Sequence, residues 1–118
     1  MSRTSRPGGT QANSGPFDLA HLERMTHGDH ALAREVLRLF DGQAEKQLAA
    51  IELAADNDAR MQAAHTLKGA ARGVGAFAVA DAAEAVEGAD VAAFEPALAR
   101  LRQSVADARR VLPSLLRD

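Results

Sequence analysis

The chain has 118 residues, room for one compact domain, and 47% of them are hydrophobic, enough to fill a core. A formal charge of −2 and 3% aromatic residues, with no Trp and no Tyr, argue against a nucleic-acid binder, which needs a basic excess and stacking side chains. The lack of cysteine excludes disulfides and thiolate metal sites, and the abundance of alanine over β-branched residues points to an all-α fold.

Residues 1–16, "MSRTSRPGGTQANSGP", carry Ser, Thr, Gly, Pro and Asn with almost nothing to bury, and are expected to form a disordered tail. They hold charge but no apolar stretch, so they do not read as a secretory signal, and no later run approaches the length of a membrane span. A soluble, cytoplasmic, stand-alone protein is expected, with residues 17–118 as its domain.

A short helix opens at "FDLAHLERMTHG", with Asp18 as N-cap, Phe17 stapled toward Leu22 and Gly28 as the stop. Asp29 caps a second helix expected to reach residue 55. Its apolar stripe is read as Leu32, Val36, Leu39, Phe40, Leu48 and Ile51. "DND" at 56–58 is a turn, and a third helix should run from about Ala59 to Gly75. Met61, Ala64, Leu67, Ala71 and Val74 make one face that continues through Gly69 and Gly73. "AFAVADAAEAVEG" is a fourth helix with Val79, Ala82, Ala83 and Val86 inward. A fifth begins within 91–96, since Pro96 suits only a first turn, and Pro113 should end or kink it. Its core face is Phe94, Leu98, Leu101, Val105, Ala108 and Leu112. Short connections make neighbours antiparallel, so the expected architecture is an up-down-up-down four-helix bundle with a short additional N-terminal helix.

The chemistry concentrates in "HTLKGAARGVG", residues 65–75. On a helical wheel His65 lies about 130° from the centre of the buried stripe, so it faces solvent. Gly69 and Arg72 follow on the same ridge and Lys68 flanks it. Helical side chains lean toward the N-terminus, so a large residue at 69 would lie over the imidazole. Glycine costs the helix about 1 kcal/mol and leaves the ring accessible. Lys68 brings a mobile positive charge suited to a phosphoryl group, and Arg72 adds to the field. An exposed histidine with adjacent cations suits nucleophilic chemistry on phosphorus. No carboxylate within this stretch can act as its partner base. The chain has no P-loop and no glycine-rich nucleotide fingerprint, so it reads as able to carry a phosphoryl group but not to draw one from ATP. His27 and His30, with Glu23 and Asp29 near, raise the thought of a metal site, but two histidines across a helix stop rarely converge without a third ligand, so none is expected, and His21 is read as a surface residue.

"AHTLKGAARGVGA" followed by "VADAAEAVE" resembles the histidine-containing phosphotransfer (HPt) domain of bacterial phosphorelays. The family pattern is a histidine, then leucine, lysine and glycine at the second to fourth positions after it, and another glycine six residues later. His65, Leu67, Lys68, Gly69 and Gly75 stand at those places, and Val79, Ala83, Val86 and Glu87 match the family's next helix, which closes with a glutamate. The resemblance covers about residues 18–112. Ala70 and Ala71 depart from the small hydroxyl residues common in the family, a change that touches packing.

The resemblance implies a carrier that takes a phosphoryl group on His65 from a receiver-domain aspartate and passes it to another response-regulator receiver. It implies no kinase activity and no cofactor of its own, with Mg²⁺ on the partner receiver. The partners would include the receiver of a hybrid histidine kinase. A monomer is expected, with no nucleic-acid or membrane partner, and Gln62 and Arg72 are candidate partner contacts. A competing reading is a helical interaction module that is never phosphorylated, but such a module has no need of His65, Lys68 and Gly69 together. The phosphoacceptor domain of a histidine kinase fits less well, because Thr66 stands where that family usually has an acidic residue and no proline follows until Pro96.

Overall fold

The computed structural model describes residues 13–117. Five helices follow a two-residue hairpin: β1 (Asn13–Ser14), β2 (Phe17–Asp18), α1 (Leu19–Met25), α2 (His30–Leu53), α3 (Asn57–Gly73), α4 (Phe77–Glu87) and α5 (Val91–Leu115). The tail expected to be disordered lies outside the described residues up to 12. From Asn13 to Pro16 the chain instead forms one arm and the turn of the hairpin, with Ser14 opposite Phe17.

Four helices start on the same device. Asp18, Asp29, Asp56 and Asp90 each stand in extended backbone and accept a hydrogen bond from the N–H three residues on, at 2.8–3.0 Å. Each such cap is worth about 1 kcal/mol. Connections 54–56, 74–76 and 88–90 are three residues each, so α2 to α5 reverse direction in turn. Consecutive helices pack together and α5 returns to α2, closing a four-helix bundle. Arg102 Nε donates to Glu52 at 2.6 Å and Arg109 Nε to Asp41 at 2.7 Å between α5 and α2.

The core is aliphatic and small. Leu67, Ala64 and Ala71 of α3, Val79, Ala80, Ala82 and Ala83 of α4, and Leu101 and Ala108 of α5 are almost wholly buried. At one end Phe17 meets Phe40 edge-on, with ring centroids 5.7 Å apart. Phe17 and Leu22 both join the core.

Several sequence expectations need correction. Leu32 and Leu39 of α2 are exposed, and Leu37 and Ala44 take the buried face with Phe40 and Ile51. The buried stripe of α2 is therefore rotated from the expected one, because α3 packs against the side carrying 37, 40, 44 and 51. Met61 also lies outside the core of α3. α3 ends at Gly73, two residues earlier than expected. α5 starts at Val91, so Pro96 is its sixth residue and not in its first turn, and the helix runs past Pro113 to Leu115. A proline in a helix removes one backbone hydrogen bond. α5 is otherwise held along its length by Leu98, Leu101, Val105, Ala108 and Leu112 in the core.

The turn between α3 and α4 fixes how these two helices face each other. Ala76 N–H donates to Ala71 O at 2.8 Å and Gly75 N–H to Arg72 O at 3.3 Å, a Schellman closure around Gly75 at φ +79°. Gly75 O in turn accepts from Asp18 N–H at 2.9 Å, which ties the hairpin to this turn.

Candidate phosphoacceptor site

α3 carries its apolar stripe inward through Ala64, Leu67 and Ala71, so the opposite side of the same turns faces solvent. His65 stands there with its side chain 69% exposed. Leu67 is fully buried and anchors the turn that presents the histidine. Gly69 lies one turn further on. No side chain or neighbouring element comes within 4 Å of the place a Cβ on it would occupy. Alanine would therefore leave the ring open, and only a longer side chain reaches over it.

Glu87, the last residue of α4, is the group that reasoning within α3 missed. Its Oε2 lies 2.9 Å from His65 Nδ1, and its Oε1 accepts from Lys68 Nζ at 2.7 Å. Lys68 is only 14% exposed at its side chain, so it is not the mobile cation expected. It is pinned to Glu87. The Lys68 hydrogen bond, with a smaller one from His65, holds the Glu87 carboxyl below its ordinary value of 4.5 against the opposing effect of desolvation. Glu87 is thus a carboxylate at neutral pH and can only accept. Nδ1 of His65 must then carry the proton, which leaves the lone pair on Nε2, the ring nitrogen not engaged by Glu87.

The lowered value also sets a pH dependence. A depressed carboxyl contributes stability that is present above its unfolded value and lost as pH falls through its folded value. Urea unfolding of wild type and Glu87→Gln should diverge at pH 6 and converge below the lowered folded value. A gap that stays constant across this range would contradict the pairing.

The remaining expected site residues sort themselves by position. Gln62 lines a shallow depression beside His65 with Asp58, Ala59, Met61 and Glu87. Arg72 Nη2 reaches Glu84 Oε1 at 3.5 Å, so its charge is directed along the α3–α4 seam and not at the imidazole. Gly75 belongs to the turn. Among the described residues no three His, Cys, Asp or Glu side chains gather to hold an ion. No described helix is long and apolar enough to cross a membrane.

The only sequence signal pointing to Glu87 is the glutamate that closes the fourth helix in the resembled family. Its contact with a residue 22 positions earlier depends on the α3–α4 packing. Comparison with curated proteins gives no match, and comparison with solved structures gives none. The family model described as Hpt domain matches residues 35–111, from early α2 almost to the end of α5, and spans both the exposed histidine and its glutamate. By that match and by its helical bundle, the chain belongs to the Hpt domain family, known for phosphotransfer in phosphorelays.

Proposed function

We propose that the protein is a phosphorelay intermediate: His65 takes a phosphoryl group from an aspartate of one receiver domain and passes it to an aspartate of another. The observation that carries this reading is the hydrogen bond from His65 Nδ1 to Glu87 at 2.9 Å, on a ring whose side chain is 69% exposed. In the forward step the Nε2 lone pair forms the N–P bond as the P–O bond to the receiver's aspartate breaks, releasing that carboxylate. The proton stays on Nδ1, so the phosphorylated ring carries positive charge, which the Glu87 carboxylate stabilises. The reverse sequence delivers the phosphoryl group to the next receiver, whose carboxylate attacks phosphorus while the neutral imidazole leaves.

The chain contributes a fixed, open nucleophile. Lys68 holds Glu87 in place and offers a cation within reach of the site. The kinase lies elsewhere in the relay, and Mg²⁺ belongs to the receiver. A hybrid histidine kinase is a natural source of the donor receiver. We place the protein in the cytoplasm as a monomer.

The test is transfer from a receiver domain phosphorylated with acetyl phosphate. The product should be an acid-labile, base-stable phosphoryl group whose phosphorus resonance reports attachment at Nε2. No transfer from any receiver of the host genome sinks the reading.

Two substitutions probe the site's geometry. Gly69→Leu should keep the helical circular dichroism and slow single-turnover transfer about tenfold, because the side chain lies over the ring and displaces the approach. Unchanged transfer would reject the steric account. Glu87→Ala should also slow transfer about tenfold, since Nδ1–H loses a charge-assisted partner and the Nε2–H form of the ring becomes populated. Glu87→Gln should recover part of the rate, because its amide oxygen still accepts from Nδ1–H. Nitrogen chemical shifts of His65 read the tautomer directly, and an unaltered tautomer in Glu87→Ala would remove Glu87 from the mechanism.

A further inference from the structure

α4 is held differently at its two ends. Its last residue, Glu87, bonds His65 at 2.9 Å and Lys68 at 2.7 Å. Its start lacks the device that the other helices use: Ala76 stands at the N-cap, and no side chain caps the helix. Between the ends its buried residues are Val79, Ala80, Ala82, Ala83 and Val86. Ridges built from alanine and valine are shallow and resist sliding along the axis weakly. The position of α4 along α3 is therefore set where α4 begins.

The segment 17–21 does the work of the missing cap. Phe17 is fully buried, edge-on to Phe40 of α2. Asp18 N–H donates to Gly75 O at 2.9 Å, and the Asp18 carboxylate accepts from His21 N–H at 3.0 Å. His21, expected at the surface, is partly buried and lays its ring against Phe77, with centroids 5.3 Å apart at 69°. Its Nε2 is buried without a hydrogen-bond partner, so the ring acts here by packing. One short segment thus joins α2, the α3–α4 turn and the first residue of α4. It precedes residue 35, where the family match begins.

Glu87 stands ten residues after Phe77, about 15 Å along the helix. Its bond to His65 starts at 2.9 Å, and a displacement of about 0.5 Å takes it out of good hydrogen-bond range. Lys68, on a flexible four-carbon stem, can follow a displaced carboxylate, whereas the shorter imidazole side chain cannot. A shift of α4 is therefore felt first at His65 Nδ1.

We infer that His21 is a positioning residue for phosphoryl transfer: through Phe77 it holds α4 in the register that sets Glu87 against His65 Nδ1, and so keeps the lone pair on Nε2. The inference rests on the reading of Glu87 as the group that fixes the His65 tautomer, and adds what fixes Glu87.

Nitrogen chemical shifts of His65, read on the free chain without a receiver, test it. His21→Ala should raise the Nε2–H population of His65 and slow single-turnover transfer at saturating receiver about threefold. His21→Phe should return both within about 1.5-fold of wild type, because it keeps the ring on Phe77 and removes the unpartnered nitrogen. Phe77→Ala takes away the same contact from the α4 side at a half-exposed position, and decides the matter if His21→Ala does not fold. In a Glu87→Ala background, His21→Ala should slow transfer no further, since the two act through one bond.

A His21→Ala chain that is weaker in urea but keeps the wild-type tautomer and rate makes the residue structural only and overturns the inference. Losses that multiply in the double variant overturn it as well. If Glu87→Ala alone leaves the tautomer unchanged, the reading of Glu87 falls and this inference with it. If wild type accepts nothing from any receiver, the carrier reading fails, and the tautomer measured without a receiver still decides whether His21 sets it.

Discussion

Substituting His65 by Gln should reduce phosphoryl transfer from a receiver by at least about a hundredfold while leaving the fold intact. The amide has no lone pair nucleophilic enough to attack phosphorus, so the loss is chemical. The fold tolerates it because the side chain stands in water, and Glu87 keeps its Lys68 partner at 2.7 Å. Unfolding free energy should change by less than about 0.5 kcal/mol. The measurement is radiolabel on the chain after incubation with phosphorylated receiver, alongside urea unfolding. Equal labelling would move the phosphoacceptor to another histidine. His27 and His30 are exposed but sit at the α1–α2 turn, away from Lys68 and Gly69. His21 is a poorer substitute, with its ring against Phe77 and its Nε2 buried without a hydrogen-bond partner.

Replacing Gly75 with Ala should cost about 2–3 kcal/mol of stability, the largest effect expected from any single methyl group in this chain. Two terms add. The backbone sits at φ +79°, where an L-residue is strained. The new Cβ would also lie 2.9 Å from the Asp18 carbonyl oxygen and 3.3 Å from Asp18 Cβ and His21 Cδ2. These are backbone and packed atoms, so relief requires the hairpin and α1 to move off the α3–α4 turn. That movement strains the Asp18 N–H bond to Gly75 O. Gly69→Ala provides the internal control. Its backbone is helical and its surroundings are open, so the same methyl group should stabilise by up to about 1 kcal/mol. Thermal unfolding should show the two variants on opposite sides of wild type. A Gly75→Ala protein as stable as wild type would mean that the turn does not require glycine.

Much of this is legible in the sequence. The caps Asp18 and Asp29 and the turn at 56–58 mark helix boundaries to within a few residues, because capping chemistry is local. The exposure of His65 follows from the inward stripe of its own helix. Where a helix has apolar residues around more than one face, the stripe is ambiguous. α2 carries leucines at 32, 37 and 39, and only the positions of α3 and α5 decide that Leu37 is buried and Leu39 is not. The prolines of α5 mislead for a related reason. Local cost argues for a helix between them, whereas the core contacts on either side hold the helix through both.

The electrostatics of the site lie furthest from view. The sequence places Lys68 beside the histidine but says nothing of its freedom, because its partner stands 19 residues away on another helix. Glu87 satisfies both His65 and Lys68 with the two oxygens of one carboxylate, an arrangement that depends on how closely α4 approaches α3. Gly75 is legible as structural, and the structure supplies both reasons at once: the left-handed turn and the close approach of Asp18.

The small residues buried in α3 and α4 have a consequence beyond packing. Ala64 and Ala71 of α3 and Ala80, Ala82 and Ala83 of α4 are almost wholly buried, and the two helices pack against each other. How closely they pack sets the reach from Glu87 to the imidazole. A methylene added at one of these positions, in a chain that still folds, would be read at the surface as a shift in the proton's residence between Nδ1 and Nε2. The tautomer of His65 is therefore a ruler for the interior of the bundle.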